Sequence, residues 1–297
     1  EVDAPAEGTE GVYRALVLGL RDYVNKNRFP GVLLGLSGGV DSALSAAIAV
    51  DALGAERVHC VMMPSPYTSQ ESLDDAAECA ELLGCRLDSV SIEPAMAAFE
   101  RMLAPAFAGR DPDITEENIQ SRSRGLTLMA LSNKFGAMVL STGNKSEVSV
   151  GYATLYGDMC GGFNALKDVY KTTVYALSRW RNEHLPADVR GPAGRVVPER
   201  VLTKAPTAEL KPGQKDQDTL PPYDELDDIL HCLVELDLGI PDIVARGHAA
   251  ETVNKVWRML HLSEYKRRQA APGVKITRRI FNRDRRYPIT NGFTSVV

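Results

Sequence analysis

The chain has 297 residues, a net charge of −5, 44% hydrophobic and 25% charged residues, a globular composition that excludes disorder, collagen-like repeats and a long coiled coil. No apolar run nears the roughly 20 residues of a membrane span, and an acidic total argues against nucleic acid, which needs surplus Lys and Arg. The five cysteines are scattered with no C-x-x-C, and the five histidines show no zinc spacing, so reduced core thiols in a cytoplasmic protein are expected.

Residues 1–11 are polar and Gly/Pro-containing and read as a flexible lead-in. Val12 to Lys26 predicts a helix, with Val12, Leu16, Leu20 and Tyr23 on one face. Gly31 to Leu36 is a short apolar strand, followed by a serine- and glycine-rich loop and an Ala-rich helix from Ala43 to Leu53 that Gly54 ends. Val58 to Met63 is a second strand. The capping-box pattern Thr68-Ser-Gln-Glu71 opens a helix to about Leu83. Leu87 to Ile92 predicts a strand, Pro94 to Phe107 and Glu116 to Phe135 helices, Ala137 to Ser141 a fourth strand, and Thr172 to Glu183 a helix. Residues 186–222 hold many prolines and a polar run and predict a long lid loop. Helices return at Tyr223 to Leu236 and Ala250 to Leu260. From Lys266 to Arg286, nine basic residues face Asp284 as the lone acid, in a basic C-terminal segment spanning 262–297.

Short apolar strands alternating with helices predict an α/β fold: a doubly wound parallel sheet with helices on both faces. Too few strands are present for a barrel. One domain over 1–297 is expected.

The informative stretch is strand, then Ser37-Gly38-Gly39-Val40-Asp41-Ser42, then helix. Glycines let backbone N–H groups turn inward, the helix start adds its positive dipole end, and two serines add hydroxyl donors. The helix dipole alone contributes only about 0.3–1 kcal/mol, so several convergent donors are needed to hold a pyrophosphate. A carboxylate at Asp41 beside phosphates points to Mg²⁺. No Gly-Lys-Ser/Thr closes the loop, which argues against Walker-type γ-phosphoryl transfer and for cleavage between the α and β phosphates. Gly35 to Gly39 also matches G-x-S-x-G, a hydrolase nucleophile elbow with His248 or His261 as downstream partner. That reading has only one strand before the elbow and leaves Asp41 and Ser42 unexplained.

The loop resembles that of the N-type ATP pyrophosphatases, a Rossmann-like superfamily. Asn118-Ile-Gln-Ser-Arg-Ser-Arg124, Ser141-Thr-Gly-Asn-Lys-Ser-Glu147, Tyr156-Gly-Asp158 leading to Lys167-Asp-Val-Tyr-Lys171, Lys204 to Leu210 and Asp216 to Leu220 resemble NAD synthetase within it. The resemblance covers about residues 12 to 293. It implies ATP-dependent amidation of deamido-NAD through an NAD-adenylate, with ammonia as direct nitrogen donor and AMP and pyrophosphate released. It implies that Leu36, Ser37, Gly38, Gly39, Val40, Asp41, Ser42, Thr142, Lys171 and Thr207 contact ATP. Asp41 and Glu147 would hold Mg²⁺; Asn118, Arg122, Glu147 and Lys266 would contact deamido-NAD; Asp41, Glu147, Lys171 and Asp158 would form the catalytic group. Asn118 and Arg122, four apart, are expected on one helix face.

Ammonia-using members carry Lys before the Tyr-Gly-Asp stretch and Asp after it; Ala153 to Gly162 has neither, which resembles the synthetase half of the glutamine-dependent form. That form has a nitrilase-like glutaminase domain, for which too few residues precede the ATP loop. With Glu1 first, an isolated synthetase portion or a free-standing ammonia user is expected. The resemblance further implies a homodimer, and lids at Pro64 to Gln70 and Lys204 to Pro222. GMP synthetase would share the loop but lack the Asn118–Arg124 and Lys204–Leu210 segments. A nucleotide-binding module without chemistry would bind nucleotide and release no pyrophosphate.

Overall fold

The computed structural model describes residues 7–292. The first helix, α1 (Gly8–Lys26), begins earlier than expected, so residues 8–11 are its first turn rather than a lead-in; residues 1–6 lie outside the described residues. The apolar run after it forms β1 (Val32–Gly35), and α2 (Val40–Leu53) starts inside the serine- and glycine-rich loop. All of α2 except Asp41 is buried; its small side chains let neighbouring layers approach closely. Next come β2 (Val58–Met62), α3 (Gln70–Leu83), β3 (Arg86–Ser89) and α4 (Glu93–Leu103). Ser69 caps α3 by accepting the Ser72 N–H, and Gly84 in the left-handed region ends it. Helix α4 stops short of the predicted Phe107, which lies in a turn.

The long helix α5 (Ile114–Phe135) is opened by a capping box between Asp113 and Glu116. It leads to β4 (Met138–Ser141). Helix α6 (Lys145–Val150) and strand β5 (Phe163–Asn164) follow, then α7 (Lys171–Glu183). Neither α6 nor β5 is apparent from periodicity, since six and two residues are too short to show a period. The expected loop at 186–222 holds a short helix, α8 (Glu199–Thr203), and a 3₁₀ turn at Asp216–Asp218. The predicted helix from Tyr223 is α9 (Tyr223–Leu230) continued by a π turn, His231–Glu235. Helices α10 (Ile240–Ala245), α11 (Ala250–Leu262) and α12 (Glu264–Arg267) are the last helices among the described residues.

The strands form one parallel sheet in the order β3-β2-β1-β4-β5. Strand order reverses between β1 and β4, the switch point where doubly wound sheets bind ligands at their carboxyl ends. Helices α1, α2 and α7 contact one another, while α5 contacts β1 and β4. Right-handed crossovers place these groups on opposite faces. The main core joins the sheet to α1, α2, α3 and α7. A second core gathers α9, α10, α11, Phe281 and Tyr287. Among the described residues no helix is long and apolar enough to cross a membrane. All five cysteines are free.

Candidate active site

A cavity of about 620 Å³ opens at the switch point. Ser37, Gly39, Asp41 and Ser42 form its floor, together with Leu36 and Val40. The loop is held by its own serines: Ser42 Oγ accepts the Ser37 N–H at 3.2 Å and donates to the Gly39 carbonyl at 3.0 Å. Gly38 adopts φ +78°, and a Cβ there would lie 2.2 Å from the Ser72 carbonyl oxygen. Only glycine permits both that backbone and that approach to α3. Gly38 therefore shapes the loop from behind, outside the cavity wall.

Asp41 and Glu147 enter from the first turns of α2 and α6 and meet on Lys171, the first residue of α7. Lys171 Nζ lies 2.5 Å from Asp41 Oδ2 and 2.9 Å from Glu147 Oε1. Asn144 aligns the two acids: its Nδ2 donates to Asp41 Oδ1 at 2.8 Å and its Oδ1 accepts the Glu147 N–H at 3.0 Å, capping α6. Burial pushes the Glu147 carboxyl up to about 7, against the opposing pull of Lys171, with Asp41 adding to the rise. Burial disfavours the Lys171 charge, but the two carboxylates outweigh it and hold its pKa well above the usual lysine range.

The helix behind them is held from a distance. Asp227, on α9, accepts the Thr172 N–H at 2.9 Å and the Thr172 hydroxyl at 2.8 Å, and also the Ser146 hydroxyl. One carboxylate thus ties α6 to the start of α7. Beneath α6, buried Lys145 donates to Glu235 at 2.6 Å and pairs with Asp168 at 2.7 Å.

The opposite end of the cavity is built by α5 and the loop 151–160. Asn118 and Asp158 line it, and the Thr154 hydroxyl donates to Asn118 Oδ1 at 3.0 Å. Asp158 accepts the Thr154 N–H at 2.6 Å and the Ser121 hydroxyl at 3.2 Å; burial raises its pKa against these bonds. Lys266 donates to the Gly151 and Ala153 carbonyls at 2.7 and 2.6 Å. It fastens this loop as well as lining the cavity. Arg122 does not share the Asn118 surface: it is exposed, outside the cavity, and donates to the Leu155 carbonyl at 3.2 Å. The cavity face of α5 is centred on Ser121, Gly125 and Leu128 with Asn118 at its edge, and the roughly 40° from Asn118 to Arg122 carries Arg122 past that edge.

Thr142 lines the wall after β4, and Thr207 lines the roof, where its hydroxyl donates to the Gln214 carbonyl at 2.7 Å. The roof is the strap from 204 to 218. Glu209 accepts the Ser69 and Ser72 hydroxyls at 2.7 and 2.8 Å, and Gln120 donates to the Leu210 carbonyl at 2.8 Å. The strap and the β2–α3 loop, the two predicted lids, are thereby bonded to each other. Asp216 anchors its far end, accepting the Tyr223 hydroxyl at 2.7 Å and the Tyr152 hydroxyl at 3.2 Å.

Asn144, Asp216 and Arg124 lie within the segments that carry the resemblance, but the sequence assigns them no individual role. Asn144 had a usable signal, an N-cap followed three residues on by Glu147. In the basic C-terminal segment Arg267 is fully buried against Glu264 and the Ser149 and Leu260 carbonyls, Lys266, Arg279 and Arg285 are partly buried, and Arg268, Lys275, Arg278, Arg283 and Arg286 are exposed, with Lys275 paired to Asp284. Its last residues, 293–297, lie outside the described residues.

The charge balance of the cavity frames its chemistry. Asp41, Glu117, Glu147, Asp158, Glu209 and Asp216 line it against Arg124, Lys171, Lys204 and Lys266. Among the described residues no group of three His, Cys, Asp or Glu side chains makes a complete cation cage. Two convergent carboxylates in an open cavity leave positions for substrate oxygens and water, the donor set that suits Mg²⁺. Asp41 and Glu147 fit that ion.

Residues 12–270 match the NAD synthase family model. A glutamine-dependent NAD(+) synthetase of Rhodobacter capsulatus is 57% identical over 291 residues, 98% of this chain and 53% of the relative. The structure of the glutamine-dependent NAD+ synthetase from Acinetobacter baumannii in complex with ADP matches at 52% identity and TM-score 0.64, over 99% of this chain and 52% of that one. The NMN synthetase from Francisella tularensis is 26% identical with TM-score 0.72, over 88% of this chain and 96% of that one. The chain spans about half the length of the curated relatives it matches.

Proposed function

The chain belongs to the NAD synthase family, and from that premise we propose that it amidates deamido-NAD to NAD at the expense of ATP, with ammonia as the direct nitrogen donor. The observation that carries this reading is the convergence of the Ser37–Ser42 loop with Asp41, Glu147 and Lys171 in one cavity at the switch point.

A carboxylate is a poor acyl electrophile, so the reaction first needs a leaving group. The nicotinate carboxylate oxygen bonds to the α-phosphorus of ATP, and the bridging P–O bond breaks with its electron pair going to pyrophosphate. Ammonia then adds through its lone pair to the activated carbonyl carbon, the C–O bond to AMP breaks, and a proton is lost. The loop N–H groups and the Ser37 and Ser42 hydroxyls hold the phosphates, and Lys171 supplies positive charge beside them. Mg²⁺, held by Asp41 and Glu147, would neutralise phosphate charge. Thr142 and Thr207 contact ATP from the wall and roof. Asn118 and Lys266 serve the dinucleotide end, with Arg122 at its exposed margin and Asp158 beside the amidation position. The strap and the 64–70 loop exclude water that would hydrolyse the adenylate.

Residues 1–297 act as one synthetase domain in this reading. A nitrilase-like glutaminase would be the ammonia source. A homodimer is supported by Leu126 and Met129, exposed apolar residues on α5. A cytoplasmic location is supported by the five free thiols.

The test supplies ATP, Mg²⁺ and deamido-NAD with either ammonia or glutamine and follows NAD, AMP and pyrophosphate. NAD from ammonia is expected, in amounts matching AMP. Nicotinate mononucleotide, offered in parallel, probes the reaction named for the Francisella neighbour. Failure to release pyrophosphate with any of these substrates would sink the reading and favour a silent nucleotide-binding module.

A further inference from the structure

The cavity must accept two polyanions, yet its carboxylates outnumber its cations. Three of the four cations are already committed. Lys171 is shared by Asp41 and Glu147, Lys204 pairs with Asp75 at 2.7 Å, and Lys266 donates to two carbonyls. Arg124 differs. Its Nε donates to the Met63 carbonyl at 3.1 Å, and among the described residues its Nη atoms have no hydrogen-bond partner and no carboxylate lies within ion-pair distance.

Its place in the fold is specific. Met63 directly follows β2, so the anchor lies at the carboxyl end of the sheet. Gly35, Met62, Met63 and Leu128 surround that part of the cavity, next to the loop that begins at Ser37. Glu209 and Asp158 act on the guanidinium only from beyond contact distance. A guanidinium fixed by Nε keeps two coplanar donors for an oxyanion, the geometry that grips phosphate with two bonds.

We propose that Arg124 contacts phosphate oxygens of the bound nucleotide and stabilises the charge that builds on the α-phosphoryl group as pyrophosphate leaves. This rests on the amidation reading for the step it assists, but the contact itself concerns nucleotide alone. Burial lowers the Arg124 pKa without removing a charge that ordinarily persists beyond pH 12. Arg124 is partly buried, and an arriving phosphate offsets the desolvation of its charge.

Calorimetric titration with magnesium ATP and with its α,β-methylene analogue tests the contact without turnover. Arg124→Gln is expected to weaken both by at least about tenfold, Arg124→Lys to recover part of the loss, and neither to change deamido-NAD affinity. In an active wild-type enzyme, Arg124→Gln should also cut kcat by about 100-fold while leaving the KM for deamido-NAD unchanged. Unchanged nucleotide affinity in the Gln variant, with or without a lower thermal midpoint, would overturn the proposal. So would a loss confined to deamido-NAD, which would assign Arg124 to the dinucleotide. A wild type that binds nucleotide but makes no NAD would refute the amidation reading and leave this contact open to the same titration; one that binds no nucleotide would overturn both.

Discussion

Asp41 and Glu147 come from different helices, and only Lys171 and Asn144 make them a unit. If the pair serves the proposed reaction, Asp41→Asn and Glu147→Gln should each lower NAD formation by at least about 100-fold, because an amide supplies no charge to a cation or to Lys171. Initial rates within threefold of wild type would remove the assignment. A second residue carries a pH effect far from the cavity. His261 sits between the Trp257 and Tyr287 rings at 4.2 and 4.8 Å, and its buried Nδ1 has no partner among the described residues. Burial, then Arg267 and Arg285, push its pKa below 6.5. The unfolded chain therefore takes up the proton first. The stability that neutral His261 contributes is present above about pH 6.5 and is lost as pH falls toward the folded value. The thermal midpoint of the wild type should fall more steeply from pH 7.5 to 5.5 than that of His261→Gln; parallel curves would refute it. At this scale the phosphate loop was legible because serine, glycine and aspartate at fixed spacing have one economical use. Asp216 was not, because its partners, Tyr152 and Tyr223, come from separate segments. Arg122 shows the converse: a spacing of four along a helix left it outside the cavity that receives Asn118.

Among elements, the long helices and four of the five strands could be read from periodicity and punctuation, since α1, α2, α3, α5 and α7 each span several turns. The elements that complete the site are the shortest. Helix α6 has six residues and too few hydrogen bonds to persist alone. It is fixed by Lys145, by Asn144 and by Ser146 on Asp227. Helix α7 has no side-chain cap from its own N-cap residue, Tyr170, and takes Asp227 in that role. Asp227→Ala should therefore cost about 2–4 kcal/mol, since it leaves a helix N–H and two hydroxyls without an acceptor. Urea unfolding measures this, and a change below about 0.5 kcal/mol would mean that water replaces the carboxylate. Asp227→Asn retains an acceptor and should fall between. Because Lys171 opens the helix being capped, NAD formation should drop with stability in both variants.

Across the molecule, the strap roofs the cavity and is tied on by side chains rather than by a core. Glu209 is the central tie. Its backbone sits at φ +48°, a region costly for a side-chain-bearing residue, and its carboxylate is held by Ser69 and Ser72. Lys204 on Asp75 and Gln120 on the Leu210 carbonyl secure the flanks. These ties are few and the strap carries little buried apolar surface, so it belongs to the low-stability part of the structure and is expected to open without global unfolding. Removing the central tie should shift that local equilibrium alone. Trypsin has Lys215 within the strap, whereas Lys211 precedes Pro212 and resists it. Glu209→Ala is expected to raise the rate of cleavage there several-fold while the thermal midpoint stays within about 1 °C, because few buried apolar contacts are lost. ATP with deamido-NAD should slow cleavage in the wild type by ordering both lids over the substrates. Equal cleavage with and without those ligands would show that the strap is not a lid. Equal cleavage of the wild type and the Glu209 variant would show that the latch does not control it. The two comparisons separate closure over the substrates from the bond between the loops.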